Sequence, residues 1–301
     1  MGRHWTAADL PALKGRTALV TGANRGLGLE ISAALAKAGA HVVMACRDPA
    51  RATAALEEVK RRAPGADAAL LSLDLGDLAS VRRAAQEFSA RESRLDLLVN
   101  NASAIMVPKG RTKDGFETHI GTNHLGHFAL TGLLLDESKA APGARVVNTS
   151  SLAHKMTPGL DLDDLDVDKP AYKEMDAYGR SKLAALLFTL ELDRRFKKAG
   201  MNALAVAAHP GYTATNPDLG GFFMRLSTKL FAQSPAMGVL PALYAAGAAD
   251  VAGNDFIGPG GMNQLKGYPI KVQPRPEARD AAAAAKLWTL SEQRTGVRYL
   301  D

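Results

Sequence analysis

Short apolar runs alternate with longer segments of helical periodicity along the first two thirds of the chain. The apolar runs are bounded by turn residues and predict buried strands. The segments between them repeat apolar residues at helical spacing and end near glycine or proline, which predicts helices. The predicted strands are 16–21, 41–45, 68–73, 95–99, 145–148 and 203–207, and the predicted helices are 28–38, 49–62, 77–92, 116–135 and 175–198.

This alternation is typical of crossover connections between parallel strands. It predicts an α/β fold, a Rossmann-type doubly wound parallel sheet with helices on both faces. No linker, repeat or low-complexity spacer divides residues 1–301, so we expect a single domain with a C-terminal helix around the alanine run 281–285. Three segments are expected to stand apart within it: an N-terminal extension (1–14), an inserted segment (154–177) and a substrate lid (212–235).

The composition is that of an ordinary globular chain, with 47% hydrophobic and 23% charged residues, enough for one sizeable core. The net charge is +6, but the basic residues form no stripe with aromatics, so nucleic acid is not an expected partner. The one cysteine, Cys46, fits a reducing compartment. We find no signal core and no apolar run of about 18 residues, and therefore expect a cytoplasmic protein without a membrane span.

A glycine-rich loop, TGANRGLG at 21–28, joins the first predicted strand to the first predicted helix. Glycines 22, 26 and 28 let the backbone turn sharply and approach a ligand closely. The helix that follows presents free N–H groups and the positive end of its dipole to a phosphate. After the opening strand of an alternating pattern, such a loop favours a dinucleotide site over plain turn glycines.

Basic residues beside this loop indicate which dinucleotide is bound. In dinucleotide-binding folds an acidic residue after the second strand grips the ribose 2′-hydroxyl, whereas a basic residue accommodates a 2′-phosphate. Here the second strand leads into Arg47 with no acid, and Arg25 inside the loop can reach the same phosphate. The two cations favour NADP(H) over NAD(H); the alternative is two surface arginines.

Tyr178 and Lys182 stand one helical turn apart in the predicted helix 175–198, so their side chains share a face. A tyrosine phenol titrates near ~10, too high for easy proton exchange at neutral pH. A neighbouring ammonium favours the phenolate, and we expect it to lower the pKa of the tyrosine. Such a pair can exchange a proton with a carbonyl oxygen, although Tyr-x-x-x-Lys alone is also a common surface pair.

Seven separated motifs between about residues 14 and 215 resemble, in their residues and their order, those of the classical branch of the short-chain dehydrogenase/reductase superfamily. Within that superfamily, the long segment between the serine motif and the tyrosine is most similar to the group of retinol dehydrogenases and light-dependent protochlorophyllide reductases. One departure is Ser103, where the family pattern usually has glycine and where a side chain is expected to crowd the nicotinamide ribose. The motifs are Thr21-Gly22-x-x-x-Gly26-x-Gly28, Asp74-Leu75, Asn100-Asn101-Ala102, Asn123, Ser150-Ser151, Tyr178-x-x-x-Lys182 and Pro210-Gly211-x-x-x-Thr215.

The resemblance implies a catalytic set of Asn123, Ser151, Tyr178 and Lys182. Tyr178 is then the proton donor in reduction and the base in oxidation, and Lys182 also bonds the nicotinamide ribose. Ser151, rather than its neighbour Ser150, holds the substrate oxygen near the hydride and the proton donor. Asn123 holds, through its backbone, a water that leads towards Lys182.

The resemblance also implies roles at the cofactor. Asp74 contacts the adenine amino group, Asn100 and the backbone at Ala102 shape the cleft, and Thr213 and Thr215 touch the carboxamide and pyrophosphate. The complete expected cofactor-binding set is Gly22, Asn24, Arg25, Gly26, Leu27, Gly28, Arg47, Asp74, Leu75, Asn101, Ala102, Tyr178, Lys182, Pro210, Gly211, Thr213 and Thr215.

Two further features have competing interpretations. His124 and His127 are spaced as a metal-binding pair could be, but no carboxylate at suitable spacing joins them, so we expect no metal site. The apolar segment 220–231, with Phe222, Phe223 and Met224, is expected either to line a hydrophobic substrate pocket or to pack on the core.

The leading functional hypothesis is an NADPH-dependent reductase of a lipophilic aldehyde or ketone, reversible toward the alcohol. A second hypothesis is an NADPH-dependent reductase of an enone-type C=C bond. A third is a non-catalytic NADP(H)-sensing protein, which the presence of the whole catalytic set disfavours. The expected partner is therefore a small-molecule carbonyl or alcohol; the sequence leaves its identity open, and also whether the chain forms a homo-oligomer.

Overall fold

The computed structural model describes residues 4–168, 172–213, 233–261 and 263–301. Its strands are β1 Thr17–Thr21, β2 His41–Cys46, β3 Ala68–Ser72, β4 Leu97–Asn100, β5 Ala144–Thr149, β6 Ala203–Ala208, β7 Phe256–Gly261 and β8 Lys266–Lys271. They form one eight-stranded sheet in the order β3-β2-β1-β4-β5-β6-β7-β8. β1 to β7 are parallel, and β8 is antiparallel to β7.

Helices connect these strands and cover the sheet. They are α1 Gly26–Lys37, α2 Pro49–Arg62, α3 Leu78–Arg91, α4 Thr118–Ile120, α5 Gly126–Leu133, α6 Leu135–Lys139, α7 Glu174–Lys198, α8 Pro235–Gly238, α9 Leu240–Gly247 and α10 Ala281–Thr295. A π-helical turn, Gly121–Leu125, joins α4 to α5, and 3₁₀ helices occur at Ala7–Asp9, Leu152–Lys155 and Pro276–Arg279. Within the described ranges, no helix is both long enough and apolar enough to cross a bilayer.

The predicted single-domain, doubly wound α/β fold is confirmed, as is the C-terminal helix. The last two strands were not predicted, because FIGPGG in β7 and KGYPIK in β8 are rich in glycine and proline, which are poor strand formers. Proline is tolerated in β8 because that strand lies at the edge of the sheet. The antiparallel β8 is the one departure from the expected parallel sheet.

The hydrophobic core occupies both faces of the sheet. α1, α2 and α9 pack on one face, and α3, α5 and α7 pack on the other. α10 lies against α7 and adds Trp288 to the second core. β1 is buried along its whole length, as expected for a central strand covered on both sides. Buried members are Leu35, Val59 and Leu243 on the first face and Val81, Phe128 and Phe188 on the second.

The sheet topology determines where a ligand can bind. The chain leaves β1 towards β2 on one side and later returns to place β4 on the other side. The strand order therefore reverses between β1 and β4, and open α/β sheets bind ligands at the carboxyl ends of the strands beside such a reversal. The loops that follow β1, β4, β5 and β6 all lie at this edge of the sheet.

Candidate active site

The loop after β1 is shaped by close backbone contacts that only glycine permits. Gly22 has φ of +66°, and a Cβ there would lie 2.9 Å from the Cα of Ala102. A Cβ on Gly28 would lie 2.2 Å from the carbonyl oxygen of Gly22. Arg25 is the N-cap residue of α1, but its side chain makes no capping hydrogen bond. The cradle and the first N–H groups of α1 therefore fit a pyrophosphate.

Hydrogen bonds hold the loops after β1 and β4 together. Asn101 Nδ2 donates to the Thr21 carbonyl oxygen at 2.8 Å, and the backbone N–H groups of Asn101 and Ala102 both donate to Thr21 Oγ1 at 2.9 Å. Asn100 is buried beneath them, and its Nδ2 donates to Asn148 Oδ1 at 2.8 Å. Asn101 and Ala102 therefore border the cleft, whereas Asn100 supports it from below.

Two arginines flank the junction between the glycine loop and the end of β2. The Gly22 N–H donates to Ala45 O at 2.8 Å, which brings the glycine loop next to the end of β2. Arg25 and Arg47 are both exposed, and in the described part of the chain neither forms an ion pair. The glycine loop, which contains Arg25, therefore lies next to the end of β2, which leads into Arg47.

The expected adenine-binding residues follow β3. Asp74 is partly exposed, and its Oδ1 accepts a hydrogen bond from the Gly76 N–H at 2.9 Å. The Leu75 side chain is buried, and a Cβ on Gly126 would press against this residue. The Leu75 side chain therefore belongs to the core, whereas Asp74 keeps partial contact with solvent.

α7 brings Tyr178 and Lys182 to the carboxyl end of β5. Tyr178 is 9% exposed and Lys182 is 2% exposed. Lys182 Nζ lies 5.7 Å from the centre of the Tyr178 ring and donates to the Thr149 carbonyl oxygen at 2.9 Å. Ser151 begins the 3₁₀ helix after β5, and its Oγ accepts from the Ala153 N–H at 3.2 Å.

Burial dominates the electrostatics of this pair. It raises the pKa of Tyr178, whereas hydrogen bonding with the hydroxyls of Ser151 and Ser103 lowers that pKa. Burial also lowers the pKa of the Lys182 amine to about 7. The expectation of a lowered tyrosine pKa is wrong for this arrangement, because the cost of desolvating a phenolate outweighs its stabilising contacts. Ser103, expected to crowd the ribose, interacts with the Tyr178 phenol.

The two adjacent serines have different positions. Ser150 is 1% exposed, and its Oγ donates to the Lys182 carbonyl oxygen at 2.9 Å. It thus ties the end of β5 to α7. Ser151 lies beside the Tyr178 phenol, where a substrate oxygen could reach both hydroxyls.

Asn123 lies in the π-helical turn, which the prediction of a mostly helical stretch at 116–135 did not distinguish from α-helix. Its side chain is 4% exposed; Oδ1 accepts from Ala104 N at 2.7 Å, and Nδ2 donates to Ala104 O and to Ser181 Oγ, each at 2.9 Å. Ser181 Oγ in turn donates to the Tyr178 carbonyl oxygen at 2.7 Å. Asn123 therefore joins the loop after β4 to α7, and π turns often occur at functional sites.

A buried polar cluster beside Tyr178 was also missed. His119 Nδ1 contacts Glu117 Oε1 at 2.7 Å, and the Tyr172 hydroxyl donates to the same oxygen at 3.0 Å. Burial raises the pKa of Glu117, but hydrogen bonds from His119 and Ile120 bring it below its ordinary value. The His119 ring lies 6.1 Å from the Tyr178 ring. In the sequence, the only sign of this cluster is that polar residues precede an apolar helix.

The motif after β6 is described in part. Gly211 has φ of +66°, and the Thr213 hydroxyl donates to the Pro210 carbonyl oxygen at 2.8 Å. The three residues thus form a turn at the same edge of the sheet as the glycine loop. Thr215 and the apolar residues 220–231 of the expected lid lie outside the described residues.

The two histidines considered as a metal-binding pair have separate protein partners. His124 Nε2 lies 2.8 Å from Ser291 Oγ, and His127 Nε2 lies 2.9 Å from Thr21 Oγ1. Burial lowers the pKa of His124 to about 3 and that of His127 to about 4. Over the described ranges, no three His, Cys, Asp or Glu side chains are grouped to hold a metal ion.

Comparison with known proteins gives the family. A short chain dehydrogenase family model matches residues 16–162. Retinol dehydrogenase 13 of Homo sapiens is 37% identical over 302 residues, covering 95% of this chain and 86% of its own. Retinol dehydrogenase 11 of Mus musculus is 40% identical over 250 residues, covering 81% of this chain and 78% of its own. The chain therefore belongs to the short-chain dehydrogenase/reductase family, in the group of the retinol dehydrogenases.

Solved structures agree with this assignment. The crystal structure of an uncharacterized protein from Mycobacterium paratuberculosis has a TM-score of 0.83 and 42% identity, covering 99% of each chain. A structure described as an NAD(P)-dependent gluconate 5-dehydrogenase from Beutenbergia cavernae, with NADP bound at low occupancy, has a TM-score of 0.64 and 26% identity, covering 81% of this chain and 95% of its own. The family and the glycine cradle support an oxidoreductase that binds a nicotinamide dinucleotide.

Proposed function

We propose that this protein is an NADPH-dependent oxidoreductase that interconverts a lipophilic aldehyde or ketone with its alcohol. The observation that carries the proposal is the convergence of Ser151, Tyr178 and Lys182 beside the glycine loop. A proton donor, a second hydroxyl and a buried cation thus meet where the fold binds a dinucleotide. The partner is accordingly a small-molecule carbonyl or alcohol.

Each of these side chains has a separate role at the substrate oxygen. When bound, the nicotinamide supplies the hydride in reduction and accepts it in oxidation. Ser151 donates a hydrogen bond to the substrate oxygen and holds it beside Tyr178. Tyr178 then gives its phenolic proton to that oxygen, and the ammonium of Lys182 stabilises the phenolate that remains. Asn123 holds, through its backbone, the water that leads towards Lys182 and along which the proton lost by Tyr178 is replaced.

The raised pKa of Tyr178 determines which form of this side chain is present. Because burial disfavours the phenolate, the protonated phenol predominates in the free protein, and this is the form that reduction uses. Oxidation instead needs the phenolate as a base, so it should become efficient only as the pH rises. Reversibility is retained, since the same two groups serve both directions.

The preference for NADPH rests on Arg25 and Arg47. Both are exposed and free of ion pairs among the described residues, so binding a 2′-phosphate breaks no existing contact. Charge-assisted hydrogen bonds of this kind contribute roughly 1.5–3 kcal/mol each. NADH lacks the phosphate and gains none of this free energy.

The lipophilic substrate is supported by exposed apolar side chains that are close in the sequence to the site residues. Three large apolar side chains remain exposed within a few residues of the Ser103, Ser151 and Tyr178 positions. They are Ile105 at 36%, Met156 at 64% and Met175 at 36% exposure. Apolar substrate surface buried against such side chains contributes about 25 cal/mol per Å² before the costs of binding. The relatives named retinol dehydrogenases are named for a lipophilic alcohol.

The proposal is tested by following NADPH oxidation across aldehydes of rising chain length, retinaldehyde, sugars and keto acids. Catalytic efficiency should rise with apolar surface and should exceed the efficiency with NADH. Phe222→Ala and Phe223→Ala should raise KM for the bulky aldehydes more than for the small ones. Preference for the sugars or keto acids would contradict the substrate class.

An enone substrate separates carbonyl reduction from C=C reduction. Carbonyl reduction yields the allylic alcohol, which is the expected product, whereas a saturated ketone would identify the alternative chemistry. Tight NADPH binding without turnover of any carbonyl or enone would instead indicate a sensing protein.

A further inference from the structure

His127 bridges the strand that leads into the glycine loop and the π-helical turn that contains Asn123. Its side chain is 3% exposed. Nε2 lies 2.9 Å from Thr21 Oγ1, and Nδ1 lies 3.1 Å from the Asn123 carbonyl oxygen. One imidazole thus has a polar partner on each of its two nitrogens.

The Thr21 hydroxyl determines which of these nitrogens carries the proton. A hydroxyl has one proton to donate and two lone pairs that accept. The N–H groups of Asn101 and Ala102 both donate to Thr21 Oγ1 at 2.9 Å, which occupies both lone pairs. The hydroxyl proton then goes to His127 Nε2 at 2.9 Å rather than to the Val99 carbonyl oxygen at 3.4 Å.

Because Nε2 accepts a hydrogen bond, the ring proton resides on Nδ1, which donates to the Asn123 carbonyl oxygen. An imidazolium would carry a second donor at Nε2, where Thr21 has no lone pair left to accept it. Burial lowers the pKa of His127 to about 4, and the charge of Lys182 also opposes protonation. The ring is therefore neutral at physiological pH and restricted to one tautomer.

Asn123 continues the connection on its other side. Its Nδ2 donates to Ser181 Oγ at 2.9 Å, and Ser181 Oγ donates to the Tyr178 carbonyl oxygen at 2.7 Å. Through His127, Asn123 and Ser181, a chain of contacts thus links Thr21, at the end of β1, to α7, the helix that carries Tyr178. A histidine that only filled core volume would need neither a fixed tautomer nor two polar partners.

We infer that His127 is a positioning residue of the active site. As a neutral imidazole protonated at Nδ1, it fixes the Asn123 carbonyl relative to the glycine loop and so couples cofactor binding to the proton path. The inference rests on the proposed function, in which Asn123 directs a proton towards Lys182.

Two variants test separately the contact of His127 with Thr21 and its contact with Asn123. His127→Gln places an amide near the Nε2 position and keeps a partner for Thr21 but loses the contact with Asn123. It should lower kcat about tenfold and change the solvent isotope effect, with little change in the Kd of NADPH. His127→Asn keeps a donor for Asn123 but loses Thr21, and should raise the Kd of NADPH more than it lowers kcat.

His124→Gln is the matched control. His124 is equally buried, but its Nε2 contacts Ser291 on α10, away from the glycine loop. This variant should lower the Tm as the His127 variants do, while leaving kcat, the isotope effect and the Kd of NADPH within about twofold of wild type. Equal behaviour of the His124 and His127 variants would overturn the inference.

Nitrogen NMR of the histidine-labelled wild-type protein tests the tautomer without a variant. His127 should show a protonated Nδ1 and an unprotonated Nε2, unchanged between about pH 5 and pH 9. A proton on Nε2, or titration within that range, would overturn the inference. The expected tautomer, together with weaker NADPH binding by His127→Asn, would support the link between His127 and the glycine loop even if no carbonyl is turned over. The absence of turnover would contradict only the proposed function.

Discussion

The Lys182 ammonium lies 5.7 Å from the centre of the Tyr178 ring, and both side chains are buried. Burial acts on the two groups in the same sense, since it disfavours the charged form of each. It raises the pKa of the phenol and lowers that of the amine to about 7. The site therefore holds a protonated phenol next to an amine that is only partly protonated at neutral pH and whose charged form lowers the stability of the fold.

Replacing Lys182 with Met should abolish turnover and yet raise the stability of the protein at neutral pH. The amine has a pKa of about 7 in the folded chain against an ordinary value of 10.5, so the unfolded chain binds more protons between these values. Wild-type stability should therefore rise with pH across this window, by up to about 1.4 kcal/mol per pH unit from this group. Below pH 7 the cost is fully present.

Thermal unfolding of wild type and Lys182→Met at several pH values checks this account. The stability advantage of the variant should be largest at and below about pH 7 and should shrink as the pH approaches 10.5. Parallel pH dependences for the two proteins would show that Lys182 does not carry the buried charge.

Ser103→Gly restores the usual family residue and should move the pH profile of oxidation. The Ser103 hydroxyl lowers the pKa of Tyr178, so its removal should raise that pKa and shift the alkaline rise of alcohol oxidation to higher pH. Ser103→Ala removes the same hydroxyl without adding backbone freedom and should shift the profile equally. A profile unchanged in both variants would rule out this contribution of Ser103.

Cofactor preference should depend on Arg47. Wild type should bind NADPH more tightly than NADH in a fluorescence titration, and Arg47→Asp should narrow or reverse that preference. Arg51→Asp is the matched control, because Arg51 is an exposed arginine already paired with Asp48. Equal affinities of wild type for the two cofactors would contradict the 2′-phosphate site.

Acid should destabilise the fold through its buried histidines. Burial lowers the pKa of His124 and His209 to about 3, and of His127 and His154 to about 4, from an ordinary 6.5. Below pH 6.5 the unfolded chain binds more protons, so stability should fall as the pH drops from 6.5 to 4, by about 1.4 kcal/mol per unit per histidine at most. The Tm measured across this range should fall steeply in wild type and less steeply in His124→Gln; equal slopes would argue against the mechanism.

The fold was largely predictable from local pattern. β1 is a short apolar run bounded by turn residues, and α2 has helical periodicity and begins and ends where the sequence predicted. β7 and β8 were not predicted, because their glycines and prolines are poor strand formers. In the fold, the pairing of the two strands with each other outweighs this low propensity. The candidate site residues were chosen by motif spacing, which gives their order along the chain.

What spacing could not predict is how distant residues contact one another. The interaction of Ser103 with Tyr178, and that of Glu117 with Tyr172, join residues more than fifty positions apart. The π-helical turn at Asn123 also depends on packing, since its sequence fits an α-helix. The raised pKa of Tyr178 follows from burial in the assembled fold, which the pair in isolation does not reveal.

The most direct test of the central claim is the rate of NADPH oxidation with a lipophilic aldehyde by wild type and by Tyr178→Phe. The substitution removes the transferable proton and keeps the ring, so turnover should fall by at least ~10²-fold. The Kd of NADPH, measured on the same preparations, should be little changed. Turnover by Tyr178→Phe at the wild-type rate would contradict the assignment of Tyr178 as the proton donor.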